Sequence, residues 1–228
     1  MRIESCFRTT PPEVDSGRFN PYLGISISKK AFTKEYVGAF VDWALPRSRE
    51  KVALLVVDVL QRFNNAVLGR YKPVGALEKA FRRADEVRGL CEEVLSSLSP
   101  ADRRRVVLLE WPDIVEERHF VHNARVFAEA YETVPEMREA LTGITRENLG
   151  PIVERLDEEG IRTLTLYILH ELPEATAGFL HDGVHFDLNV YPGRISSVYE
   201  TLLGLHCWAA IAARLRPIGP FASVELYE

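Results

Sequence analysis

At 228 residues, with 46% hydrophobic and 27% charged side chains, the chain has ordinary globular composition and room for one domain with a substantial core. Its net charge of −5 argues against general nucleic-acid binding, and the separated cysteines Cys6, Cys91 and Cys207 suggest neither a disulfide framework nor a zinc knuckle. No apolar run has the length of a signal peptide's core or a bilayer span, so a cytoplasmic protein without membrane contact is expected.

One domain is expected over residues 1–228, with residues 1–21 as an irregular arm because Pro11, Pro12, Gly17 and Pro21 punctuate it. Tyr22–Ser26 reads as a short strand. Residues 30–45 read as an amphipathic helix, with Phe32, Tyr36, Phe40 and Trp43 at spacings of three and four. Val52–Val57 is continuously apolar and ends at Asp58, as a strand buried on both faces does. A helix follows Pro73 and runs to about Ser97. The segment from Arg70 to Arg105 carries nine basic and six acidic residues, a local net charge of +3.

Val106–Leu109 is a third buried strand. Residues 113–141 read as helix interrupted near Pro135, and residues 148–159 as a further helix ending at Gly160. Residues 161–172 fit strand or helix equally. His185–Tyr191 and Ala222–Tyr227 are strand candidates on either side of a helix over about 196–215. Buried strands alternating with helices predict an α/β fold, a Rossmann-like, mostly parallel sheet flanked by helices. In such sheets sites lie at the carboxyl ends of the strands, where Ser26 and Asp58 fall.

Three motifs carry possible chemistry. Ser26, in Gly24-Ile25-Ser26, is a candidate nucleophile for an already activated ester, and Gly24 allows a substrate close approach; a turn serine before a helix is the plain alternative. Tyr167 and Glu171, four apart, share a face whether the segment is helix or strand, so a phenol and a carboxylate there could hold an α-ammonium group; a core-edge tyrosine beside a solvated glutamate is the plain alternative. Tyr191 precedes Pro192-Gly193, where a strand gives way to a turn. There is no phosphate-binding GxxxxGK[ST], no GxGxxG after a strand and no HExxH, so no nucleotide or redox cofactor is expected. Asp182-x-x-His185 with Ser26 supports a rival, since it resembles the last block of the SGNH-type serine esterases. His181 and His185 as metal ligands lack a nearby third ligand, and no metal is expected.

The order Gly24-Ile25-Ser26, Trp43, Asp58, a basic helix, Tyr167-x3-Glu171-x-Pro173 and Tyr191 resembles the cyclodipeptide synthases. Lys29 and Pro192 match the branch of that family in which proline follows the late tyrosine. The resemblance implies a fold similar to the catalytic domains of class I tyrosyl- and tryptophanyl-tRNA synthetases. It also implies aminoacyl-tRNA substrates, no cofactor and no DNA partner, and formation of a diketopiperazine by ping-pong transfer through an aminoacyl ester on Ser26. Tyr167, Glu171 and Tyr191 would be the other catalytic residues. Lys79, Arg82, Arg83 and Arg88 would contact tRNA, and Gly24 and Glu174 the substrate. An acid at Glu174 implies a polar or cationic substrate side chain. A non-catalytic tRNA-binding protein remains a further alternative.

Overall fold

The computed structural model describes residues 1–192, 196–216, 219 and 221–227. The chain opens with β1 (Arg2–Phe7), α1 (Pro11–Asp15), β2 (Pro21–Ser26), α2 (Lys34–Ala44), β3 (Val52–Val57) and α3 (Gln61–Val67). The long α4 (Pro73–Ser96) and short α5 (Pro100–Arg103) lead into β4 (Val106–Glu110), followed by α6 (Pro112–Val115), α7 (Arg118–Thr133) and α8 (Pro135–Leu149). The last part comprises α9 (Glu158–Ala177), β5 (Phe179–His181), β6 (Val184–Phe186), β7 (Leu188–Tyr191), α10 (Ser196–Leu203), α11 (Trp208–Ala212) and β8 (Ala222–Tyr227).

Six strands form one sheet in the order β1-β8-β7-β2-β3-β4, parallel throughout except for β1, which runs antiparallel to β8. β5 and β6 make a separate antiparallel ribbon. All six residues of β3 are buried, as its unbroken apolar sequence requires. The central β2 alternates. Leu23 and Ile25 enter the core shared with α2 and α4, while Tyr22 faces the other core, built from α6 to α11. Gly24 and Ser26 therefore lie on the Tyr22 face.

From β2 the chain winds outward through β3 and β4, then returns to the opposite side of β2 as β7 and β8. The winding thus reverses between β2 and β7, and a crevice opens at their carboxyl ends, the usual ligand position in open α/β sheets. At the other end of these strands Asn20 ties three segments together. Its side chain donates to the His185 carbonyl (2.9 Å) and accepts from the Glu50 and Lys51 amides, while Asp187 accepts its backbone N–H at 2.7 Å.

The structure departs from the sequence reading along several stretches. Residues 1–21 are no irregular arm: β1 closes the sheet edge against β8, and Pro11 starts a helix behind the Thr10–Glu13 capping box. β1 was hidden because it is an edge strand, largely exposed and without an apolar run. Helix α8 ends at Leu149, and Gly160 does not end a helix but lies in the first turn of α9, its N–H bound by Asp157 at 2.8 Å. Residues 161–172 are helical. Pro135 does interrupt the helical stretch, as the first residue of α8.

Candidate active site

Helix α9 builds one wall of the crevice. Tyr167, Glu171 and Glu174 follow at four and three residues, so all three project from one face toward β2 and β7. The helix stops at Gly178, at φ +67°, where a Cβ would lie 2.1 Å from the Phe186 carbonyl oxygen. Only glycine admits that close approach, which turns the chain straight into the β5–β6 ribbon.

Between this wall and the sheet lies a cavity of about 740 Å³, lined among others by Gly24, Ser26, Tyr167, Glu171, Glu174 and Tyr191. The serine from β2, the phenol and carboxyl from α9 and the late tyrosine from β7, 165 residues of sequence apart at their extremes, thus face one space. The Ser26 hydroxyl lies 3.2 Å from that of Ser28, and the Tyr167 and Glu171 side chains line the same cavity. A Cβ at Gly24 would meet no protein atom within 4 Å, so the absent side chain leaves open volume beside the serine.

Burial dominates the electrostatics of the site. Burial pushes the Glu171 carboxyl up to about 8, with Glu174 adding to the rise and the Tyr167 hydrogen bond opposing it. Burial likewise raises Glu174 to about 7, against hydrogen bonds from Tyr22 and Asn189. The place of Glu174 in the last turn of α9, at its negative end, acts in the same direction. Tyr167 is pushed well up by burial and then by Glu171 and Tyr191, so it stays a phenol. Tyr191 is raised by burial, with both glutamates contributing.

Glu174 is buried rather than turned to solvent. The Tyr22 hydroxyl and the Asn189 amide (2.9 Å) both donate to its Oε1. Lys29, which the sequence offered only as a branch marker, reaches the same cavity. Its ammonium lies 4.3 Å from the centre of the Tyr191 ring and donates to the Pro192 carbonyl at 2.5 Å, and burial lowers its pKa. Tyr22 and Asn189 were missed as well. The available signal was alternation, because each stands two residues from a residue already singled out, Gly24 and Tyr191. Gly193, part of the expected turn after Tyr191, lies outside the described residues.

Lys79, Arg82, Arg83 and Arg88 stand on α4, away from the cavity lining. Arg88 is bound to Asp85 (2.6 Å) and Glu110 (3.0 Å), Arg83 to Glu86 (3.1 Å), and Lys79 to the Tyr71 hydroxyl (2.8 Å). Arg82 is exposed and pairs with no acid among the described residues. Asp58, at the end of β3, is 1% exposed and accepts the Trp111 N–H at 3.3 Å, a structural tie to the segment after β4.

A family model described as cyclodipeptide synthase matches residues 17–205, most of the chain. The chain belongs to the cyclodipeptide synthase family. It is accordingly an enzyme of the aminoacyltransferase class. No curated protein matches the sequence. Among solved structures, a cyclodipeptide synthase from Staphylococcus haemolyticus superimposes with a TM-score of 0.72 at 14% identity, covering 98% of this chain and 99% of that one. A Mycobacterium tuberculosis protein, presented as demonstrating that cyclodipeptide synthetases are related to type I tRNA synthetases, gives 0.70 at 16% identity over 90% and 88%. A synthase from Candidatus Glomeribacter gigasporarum bound to Phe-tRNAPhe gives 0.61 at 17% over 92% and 88%. At these identities the likeness is one of fold, and the family assignment rests on the sequence model.

The esterase alternative fails on geometry. Asp182 sits in the exposed turn of the β5–β6 ribbon and lies 3.4 Å from His181, while the His185 Nε2 is 2.8 Å from the Ala177 carbonyl oxygen. Neither Asp182 nor His185 lines the cavity that holds Ser26, so no aspartate–histidine relay reaches the serine. No group of three or more potential metal ligands occurs among the described residues.

Proposed function

We propose that this synthase forms a diketopiperazine from two aminoacyl-tRNAs by ping-pong transfer, with Ser26 as the acyl carrier. The observation that carries the reading is the convergence of Ser26, Tyr167, Glu171 and Tyr191 on one cavity at the reversal point of the sheet. Use of charged tRNA is supported by the family and by the related structure bound to Phe-tRNAPhe. The ester of an aminoacyl-tRNA is already activated, so the step needs no nucleotide.

In the first half-reaction the Ser26 oxygen bonds to the acyl carbon and the bond to the terminal ribose oxygen of the tRNA breaks. The serine proton ends on that ribose hydroxyl, with the Tyr167 phenol, which lines the same cavity, as a relay. The α-ammonium of the bound residue then lies against Tyr167 and Glu171. Its positive charge supplies the partner that Glu171 lacks, so the carboxyl ionises on binding. A free α-ammonium titrates at about 8, close to the value of about 8 to which burial lifts Glu171. Burial of the carboxyl thus narrows the gap in proton affinity between acid and amine, which suits a base that must free an amine near neutrality.

The freed amine attacks the second aminoacyl ester: a C–N bond forms and the second tRNA leaves with the proton on its ribose oxygen. The terminal amine of the dipeptide then attacks the Ser26 ester, returns the serine hydroxyl and releases the ring. Tyr191, across the cavity from α9, assists the proton transfers of this closure. Lys79, Arg82, Arg83 and Arg88 would contact the tRNA backbone, Arg82 with least competition from acids on its own surface.

Intact-protein mass spectrometry after incubation with a pool of aminoacyl-tRNAs tests the reading. A mass gain equal to one aminoacyl group, absent in Ser26→Ala, is expected. Diketopiperazine formed by Ser26→Ala at the unaltered rate would overturn the role of the serine.

A further inference from the structure

Behind Ser26, on the same face of the sheet, the cavity ends in a group of polar side chains with no cation paired to them among the described residues. Glu174 is 5% and Asn189 1% exposed, and Tyr22 is wholly buried. The Tyr22 hydroxyl gives its one hydrogen to Glu174 Oε1, and the Asn189 amide nitrogen donates to the same oxygen at 2.9 Å. The Asn189 carbonyl oxygen Oδ1 is buried and has no hydrogen-bond partner. A buried acceptor left bare costs about 1–3 kcal/mol, and both Asn189 and Glu174 line the cavity. The donors at this end are turned toward Glu174, and the groups left to accept are that carboxyl and the Asn189 carbonyl. Lys29, the cation that does line the cavity, is held over the Tyr191 ring and by the Pro192 carbonyl.

Distance restricts the occupant further. Asn189 is paired in register with Tyr22, two alternation steps before Ser26, and a strand advances about 3.3 Å per residue. A group reaching from an ester on Ser26 to this level must be long, and the open volume over Gly24 lies along its route.

Resting on the proposed seryl ester, we infer that the first amino acid loaded onto Ser26 has a long side chain ending in an N–H donor, an amine, guanidinium or amide, received by Asn189 Oδ1 and Glu174. Its nitrogen gives Asn189 Oδ1 the donor it lacks, and a cationic end also neutralises Glu174. An apolar side chain leaves both acceptors unpaired and is rejected, as sites built around a buried hydrogen bond reject analogues that cannot make it.

The test pairs the mass of the acyl-enzyme with the identity of the diketopiperazines, both from a full pool of aminoacyl-tRNAs. The expected adduct is lysyl, arginyl or glutaminyl, with the same residue in every product. In Asn189→Leu the preference for that residue over leucine should fall by about a hundredfold or more. Glu174→Gln, which keeps the shape and the acceptor for Tyr22, should lose about tenfold in preference for a cationic over an amide side chain. A wild-type adduct of an aliphatic or aromatic residue, or purely apolar products, would overturn the inference and leave the synthase reading intact. Products without any adduct would overturn the seryl ester, and with it this use of the pocket. Absence of both adduct and product would overturn the synthase reading itself.

Discussion

Helices α4 and α9 both present ionisable side chains at spacings of three and four, yet they lie in opposite electrostatic regimes. On α4, Arg83 and Arg88 are met by Glu86, Asp85 and Glu110 in solvent-exposed ion pairs, which are weak and screened by salt. On α9, Glu171 and Glu174 are turned inward among phenols and an amide, form no ion pair among the described residues, and are lifted toward neutrality by burial. Charge on α4 is abundant and its environment ordinary. On α9 two carboxyls suffice, because the surroundings have moved their proton affinity to the pH at which amines exchange protons. Position relative to water, rather than the number of charges, separates the two helices.

That contrast can be broken most directly at the serine that α9 faces. Ser26→Ala should abolish the aminoacyl-enzyme completely while leaving the fold unchanged, as read by intact mass alongside circular dichroism. Next in size, Glu171→Gln should slow diketopiperazine formation by about a hundredfold or more and reduce first-step loading far less. Single-turnover assays of the two steps separate these effects, and equal slowing of both would remove Glu171 from the amine-handling role.

The buried acids also predict a pH dependence of stability. Glu171 and Glu174 bind protons more tightly folded than unfolded, so their contribution is fully present below about 4.5 and is lost as pH rises through about 7 and about 8. Thermal melts should therefore show stability from these groups falling between pH 5 and 8, and Glu171→Gln should flatten the upper part of that slope. An unchanged slope would mean that the carboxyl is charged at neutral pH. At the same buried cluster, Tyr22→Phe removes one donor to Glu174 and should cost about 1–3 kcal/mol in chemical denaturation.

The smallest effects belong to α4. Arg82→Ala should weaken tRNA binding mildly and lower the slope of log affinity against log salt by about one. Arg83→Ala and Arg88→Ala should do less, since their guanidiniums are already shared with carboxylates. A large, salt-independent loss at any of these positions would mean that α4 acts on the chemistry directly.

Much of this arrangement was legible along the chain. The apolar runs of β3 and β4 and the alternation in β2 announce buried strands, and Ser26 falls at the end of one. The pairing of Tyr167 with Glu171 survived the uncertainty between strand and helix because residues four apart share a face in both. β1 was illegible, since an exposed edge strand carries no hydrophobic signature and becomes a strand through β8, 220 residues further on in the Ser5–Glu225 pairing. Glu174 was visible as an acid near the site, but its inward orientation and its two donors were not. Those donors come from β2 and β7, elements that no local pattern brings together with α9.

The sequence by itself determined which residues are able to meet. Period-two and period-four spacing assign each side chain to a face, and hydrophobic runs assign each strand to the sheet. The tertiary structure alone decided what each face meets: the reversal between β2 and β7, the cavity at their carboxyl ends, Lys29 over Tyr191, and the unpaired carbonyl of Asn189. Periodicity is a property of neighbouring residues, whereas burial and proton affinity are set by atoms distant in sequence. The chemistry of this site becomes readable only when the chain has closed around it.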